Sequence, residues 1–426
     1  MLSRWGAVGF GVRMGLLVAA VLVACPSATP PAAARAAARA DEVRGLWVLR
    51  STLGSAKSIQ QMVDTARQAG FNTLLVQVRG RGDAYYNGRI DPRAAELEDE
   101  PANFDPLALT LTTAHAAGLK VHAWVNVDLV SSATQLPRAR THVVARHPEW
   151  LMVPRAIANA LRTVPTDAPN YVGQIARNAR AQSDTVEGLY LSPVAPASRE
   201  YTVSVINDIA SRYAIDGLHL DYLRYPSEQF DYSAATIAAF RADVLARTST
   251  ADREKLDRLA ISNITAWPDA LPEAWAQFRR DRLTQLAASL RATALAARPG
   301  IVVSAAVAPN AEEARQGRLQ DWREWARAGL LDAIAPMIYT PDAAEFATAL
   351  TRMKTDAGPT PVWAGIGAYK LSPARTNENV RAVRKAGVAG VLLFSYDSLS
   401  GGDAAPNYFS LIRPTLLEQA QASIGR

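Results

Sequence analysis

The sequence predicts an α/β fold: a (β/α)8 TIM barrel with a long insertion after strand 3. Three observations carry this reading. Short apolar β-rich runs alternate with helical patterns from Glu42 to the end, eight times over. No glycine-rich phosphate loop follows the first run, which disfavours an open doubly wound sheet. Polar residues gather at the carboxyl ends of the runs, where barrels of this kind carry their chemistry.

Taken in order, VRGLWVLR (43–50) precedes a helix near 56–69, and NTLLVQVR (72–79) one near 104–117. LKVHAWVNV (119–127) leads into a long irregular segment and then a helix near 199–213. IDGLHLDYL (215–223) precedes helices near 233–247 and 272–297, and IVVSAAVAP (301–309) one near 318–328. DAIAPMIY (332–339), PVWAGIG (361–367) and GVLLFSY (390–396) precede helices near 342–356, 377–386 and 407–421. Helices between successive strands force parallel pairing through right-handed crossovers, and eight such units close a ring. The segment 128–198 exceeds an ordinary βα loop, so it is expected to fold over the barrel mouth as a lid or subdomain.

The N-terminus has a different character. Arg4 and Arg13 flank a lead-in to the apolar run MGLLVAAVLVA (14–24), the shape of a secretory signal. That run stops at Cys25, the single cysteine, in the tetrad Leu22-Val23-Ala24-Cys25, which resembles a bacterial lipobox. The expected organisation is a signal peptide over 1–24, lipidation at Cys25, an Ala/Pro-rich tether over 25–41, and a barrel over 42–426 that includes the insertion. The protein is expected to be exported, as an outer-membrane or periplasm-facing lipoprotein, or secreted if cleavage falls after a small residue up to Ala40. Membrane contact is expected only through the lipid.

Hydrophobic residues make up 49% and charged residues 20% of the chain, the composition of a globular body. The net charge of +6 includes Arg4, Arg13, Arg35 and Arg39, and no acid precedes Asp41, so +2 remains from there onward. That excludes a strongly basic nucleic-acid binder. With one cysteine, no disulfide holds the body together. His115, His142 and His147 show no paired ligand spacing, so neither a metal nor another cofactor is expected, and the chain is expected as a monomer.

The run DGLHLDYLRYP (216–226) places charged groups inside an apolar strand. Side chains alternate along a strand, so Leu218 and Leu220 should face the helices. Gly217, His219 and Asp221 should face the axis, with Asp221 at the mouth and His219 one layer below. Gln77 and Arg79 share one face of the second strand, and His122, Trp124, Asn126 and Asp128 one face of the third. Asn310, Tyr339, Tyr369, Tyr396 and Asp397 follow at later strand ends. Buried polar groups need a partner or a ligand, and aromatic rings beside amides and carboxylates suit sugars. Gln77, Arg79, Trp124, Asn126, His219, Tyr222, Arg224, Asn310, Tyr339, Tyr369 and Tyr396 are therefore candidate substrate-binding residues. Asp216, at the strand entrance, reads as a turn or salt-bridge residue, and His219 equally as a hydrogen-bonded core histidine. Arg79 and Asp83 alternatively pair with each other to hold their loop. Trp322 and Trp325 read as core.

RGLWV (44–48), LLVQVRGRGDAYY (74–86), GLKVHAWVNV (118–127), DGLHLDYLRYP (216–226) and QDWREWARAGLLDAIAPMIY (320–339) together resemble the bacterial family-10-like glycosyl hydrolases. GIGAY (365–369) and GVLLFSY (390–396) extend the resemblance, which covers nearly all of residues 42–410. It implies a (β/α)8 fold acting on glycosidic bonds, and some relatives are outer-membrane lipoproteins that cut peptidoglycan strands stripped of peptide. Gln77, Arg79, Asp83, Asn126, Asp216, His219, Asp221 and Tyr339 fall on its motif positions. Tyr222 stands where some relatives have a second acid.

Glycoside hydrolysis usually employs two carboxyl groups across the scissile bond. Asp221 is the first candidate, with Asp128 and Asp83 about equal for the second and Asp397 behind them. DGLHLDYL also resembles the chitinase pattern in which the substrate's acetamido group attacks, but Leu223 occupies the position of the acid used there. The expected function is hydrolysis of a cell-envelope polysaccharide, foremost peptidoglycan glycan strands. The alternatives are a non-catalytic carbohydrate-binding barrel and a structural envelope protein whose mouth is plugged by 128–198.

Overall fold

The computed structural model describes residues 42–401 and 407–418. The signal, Cys25 and the tether lie outside the described residues. No helix among those described is long and apolar enough to cross a membrane.

Eight parallel strands form a closed ring. They are β1 (Val43–Val48), β2 (Thr73–Arg79), β3 (Lys120–Asn126), β4 (Gly217–Asp221), β5 (Val302–Val307), β6 (Ala333–Ile338), β7 (Trp363–Ile366) and β8 (Gly390–Phe394). Each pairs with its neighbours in chain order, and β1 pairs with both β2 and β8, so no edge is left open. The fold read from alternating apolar runs is the one observed.

The barrel separates two apolar cores. Leu46, Leu74, Val121, Leu218, Leu220, Val303, Ile334 and Val391 point outward and pack beneath the helices with no solvent exposure. A smaller cluster of Trp47, Leu75, Trp124, Ala333, Ala335, Trp363 and Leu392 fills the axis. Three indoles fit there because facing positions are small. A Cβ on Gly217 would stand 2.3 Å from the His122 ring, and one on Gly365 2.9 Å from the Trp47 ring.

The crossover helices start where the sequence supplies capping side chains. Ser55 accepts from Ser58 N, Ser233 from Thr236 N and Asp342 from Glu345 N. The helix expected near 318–328 runs over Trp322–Arg327, capped by Asp321, and a further helix, Ala311–Gly317, capped by Asn310, precedes it. Trp322 and Trp325 are fully buried core residues.

Between β3 and the helix Pro196–Arg212 the chain forms a two-stranded antiparallel pair, Leu129–Ser131 with Leu189–Tyr190. The helices Val143–Arg146, Arg155–Leu161 and Tyr171–Arg180 lie between those two strands in sequence.

Candidate active site

In the β3–β4 ladder Trp124 lies opposite His219 and Asn126 opposite Asp221. Parity along β4 therefore turns Asp221 into the ring at its carboxyl end. Its Oδ2 accepts from the Trp124 indole N–H at 3.1 Å, and its Oδ1 from the backbone N–H of Tyr222 at 2.7 Å. Burial, the largest influence, pushes the carboxyl up to about 6, against the Arg224 charge and those two donors, which hold it down.

Tyr222 leaves the strand with φ +50°, in the left-handed region that a bulky residue rarely adopts. Arg224 lies over its ring, 4.6 Å from the centroid, and donates to Glu187 at 2.8 Å. The Glu187 carboxylate also accepts from the Tyr190 hydroxyl. Burial disfavours the charge on Glu187, but Arg224 overcomes this and holds its pKa below the usual carboxylate range.

Asp221 opens onto a cavity of about 270 Å³. Gln77, Trp124 and Asn126 form a polar side, with Gln77 donating to Asn126 at 3.4 Å and Asn126 to the Gly80 carbonyl at 2.8 Å. Trp47, Tyr339 and Phe394 form an aromatic side, Tyr339 stacking on Phe394 with centroids 5.4 Å apart. Leu49, Arg50, Arg81, Leu129, Tyr222, Arg224, Ala306 and Met337 complete it. Among the described residues, Asp221 is the one carboxyl group in this lining.

Gln77, Trp124, Asn126, Tyr222, Arg224 and Tyr339 thus meet around Asp221. Tyr369, 46% exposed, stands at the rim edge-on to Phe394 at 5.9 Å. The remaining candidates lie elsewhere, each for a physical reason.

Arg79 is a correction. The β2–β3 register slips between Gln77 and Arg79, so Arg79 pairs with outward-facing Val125. Fully buried, it donates to Asp91 at 2.7 Å and to the Asn126 and Val127 carbonyls, and Asp91 also accepts from Tyr201. Its ion partner is therefore Asp91, not Asp83. His219 is also corrected. It is fully buried, its Nε2 accepts from the Trp47 indole at 3.1 Å, and its Nδ1 therefore donates to Ser304 Oγ at 2.9 Å. Burial lowers its proton affinity to about 3, so it is a neutral core histidine that supports the floor.

Asp128 lies past the end of β3 and is 1% exposed, outside the cavity lining. Its main chain is fixed by Tyr222 and Leu191, and burial pushes its carboxyl well above the usual range. Asp83 lines an adjoining groove, where it accepts from the backbone N–H groups of Gly80 and Arg81. Asp397 accepts from Leu49 N, Ser51 and Thr52, tying the β1 and β8 loops together. Asn310 is spent on the Glu312 and Glu313 N–H groups. Tyr396 turns outward and stacks on Phe409. Asp216, at the barrel bottom, accepts from Val121 N and bonds His115.

Trp47, Arg50, Arg81, Glu187 and Phe394 belong to the site although sequence reading did not select them. Strand parity from Gly45 would have found Trp47. Arg50 and Arg81 sit on loops, where parity gives no direction.

The family described as glycosyl hydrolase-like 10 matches residues 42–380. Glycosyl hydrolase YngK of Bacillus subtilis is 24% identical over 299 residues, covering 66% of this chain and 48% of that protein, so the chain spans about half of it. Glycosyl hydrolase DigH of Escherichia coli K12 is 24% identical over 391 residues, covering 77% of this chain and 75% of that one. Among solved structures, the glycoside hydrolase domain of PgaB (BpsB) from Bordetella bronchiseptica superposes with a TM-score of 0.61 at 14% identity, covering 88% and 99% of the two chains. The β-amylase catalytic domain from Paenibacillus polymyxa gives 0.57 at 13% identity, covering 90% and 100%. At those identities the likeness concerns the barrel itself. The chain belongs to the glycosyl hydrolase-like 10 family and is built on a (β/α)8 barrel.

Proposed function

We propose that the protein hydrolyses glycosidic bonds of a cell-envelope polysaccharide, foremost the glycan strands of peptidoglycan, with Asp221 protonating the leaving oxygen. The observation that carries this reading is a carboxyl group that stands alone in the cavity among the described residues, poised at about 6 by burial. A general acid works best with a proton affinity near the operating pH. The aromatic side suits the C–H face of a sugar ring, and the Gln77–Asn126 side suits its hydroxyls.

With Asp128 enclosed and Asp83 in the adjoining groove, the attacking group comes from water or from the substrate. An acetamido group on the ring being cleaved supplies such a nucleophile, a known departure from the two-carboxylate scheme, and N-acetylated amino sugars of peptidoglycan carry one. The apolar run before Cys25 supports an exported protein, lipid-anchored at the envelope.

The test is release of reducing ends from purified glycan strands freed of stem peptides. Wild-type protein is expected to release them, and Asp221→Asn to lose roughly 100-fold or more in kcat. Binding of the strands without release by the wild type would instead identify a carbohydrate-binding barrel.

A further inference from the structure

Three guanidinium groups line the cavity around Asp221, and among the described residues two of them have no ion partner. Arg50 and Arg81 both line it, and both also line the adjoining groove of about 470 Å³, so they stand at the junction of the two hollows. Among the described residues neither makes a salt bridge. Arg50 donates only to the Gln77 amide oxygen, at 3.3 Å. Burial disfavours the charge on Arg81, the like charge of Arg50 adds to this, and Asp83, whose Oδ1 is already engaged by backbone N–H groups, opposes it. The third guanidinium, Arg224, is 9% exposed, and its Nη1 has no partner among the described residues although Nη2 is paired with Glu187. Glu96 and Glu98 lie in the groove but are exposed and do not line the cavity.

Two arginines of like charge at one junction are unfavourable, and an anion between them relieves that condition. We propose that Arg50 and Arg81 form a subsite for the carboxylate of an acidic sugar residue next to the bond cleaved at Asp221. The proposal rests on the glycosidase reading and sharpens it, because it makes the substrate a polyanion. A lactyl ether on an amino sugar and a hexuronic acid present the same carboxylate chemistry.

Three polymers distinguish the sources: peptide-free peptidoglycan glycan strands, the same strands with their carboxyl groups reduced to alcohols, and hyaluronan oligosaccharides, in which the acid is a hexuronate. Binding by the full chain and reducing-end release are measured for each. Carboxyl reduction is expected to weaken binding of the strands about tenfold or more. Arg50→Gln and Arg81→Gln are expected to raise KM on native strands by a similar factor, to leave kcat within about twofold, and to change little on reduced strands. Tighter binding of hyaluronan than of the strands would assign the hexuronate source. Equal binding of native and reduced strands, with no hyaluronan binding, would overturn the subsite even if hydrolysis proceeds. Carboxylate-dependent binding without any hydrolysis would retain the subsite and reject the glycosidase reading. A loss of binding in the arginine variants that is equal on native and reduced strands would assign them a structural part only.

Discussion

The two halves of the barrel mouth are built from different materials. Strands β2 to β4 end in Gln77, Trp124, Asn126 and Asp221, a hydrogen-bonded arc whose members are 7% exposed or less. Strands β5 to β8 and the loops after them offer Ala306, Met337, Tyr339 and Phe394, with no charged group in the cavity lining. The polar arc is rigid because each member answers another. The aromatic arc is a surface with unspent faces. Such a division suits a ring that has one apolar face and an edge of hydroxyls, and it places the acid under the edge.

The sharpest way to break the polar arc is Asp221→Asn, expected to reduce kcat roughly 100-fold or more while the thermal midpoint stays within a few degrees. Loss of folding in that variant would contradict the assignment of Asp221 to chemistry. The next effect falls on the frame rather than the site. Arg79→Met leaves Asp91 buried without its ion partner, so urea unfolding should show a loss of about 3–5 kcal/mol. On the opposite arc, Phe394→Ala removes the ring on which Tyr339 stacks. It should raise KM about fivefold with little change in kcat, as expected for a platform worth about 1 kcal/mol.

Trp124→Phe tests how the arcs are coupled to the acid. The indole N–H favours the ionised carboxylate, so its removal should carry Asp221 above about 6. Because the acid acts in its protonated form, the alkaline limb of the rate profile should move upward by about one pH unit. Stability against pH is a separate readout. His219 and His122 are held by burial at about 3 and about 4, below the ordinary histidine value of 6.5. The unfolded chain therefore binds more protons below 6.5, and their contribution, present above that pH, is lost as pH falls toward the folded values. Asp221 acts oppositely: raised to about 6, it adds stability in acid that disappears as pH rises through about 6. Asp128, also raised by burial, acts in the same direction as Asp221, so in Asp128→Asn urea titrations at pH 7 and pH 5 should show the net loss from the other three groups, about 2 kcal/mol on acidification.

Much of this arrangement was legible in the chain. Alternating apolar runs marked all eight strands because strand burial writes itself as composition. A period of two along β4 was enough to aim Asp221 at the mouth. What failed was parity beyond its range. A single slipped pair after Gln77 turned Arg79 to the outside of the ring, and nothing in TLLVQVR announces that slip. Asp128, Asp397, Asn310 and Tyr396 all lie past the last paired residue of their strands, where backbone turns and helix starts decide direction. Asn310 was readable in another way, as a cap before Glu312 and Glu313, and that local demand prevailed over any ligand. Arg50 and Arg81 needed three-dimensional proximity to stand out at all.

The imidazole beneath the acid has a consequence for proton traffic. Both nitrogens of His219 are engaged, one by an indole and one by a hydroxyl, and the ring stays neutral far into the acid range. Among the described residues His219 therefore offers Asp221 no proton from below. If Asp221 is the acid proposed above, it is recharged from the open side, by water or by a group on the bound sugar. Each turnover would then begin and end at a single doorway.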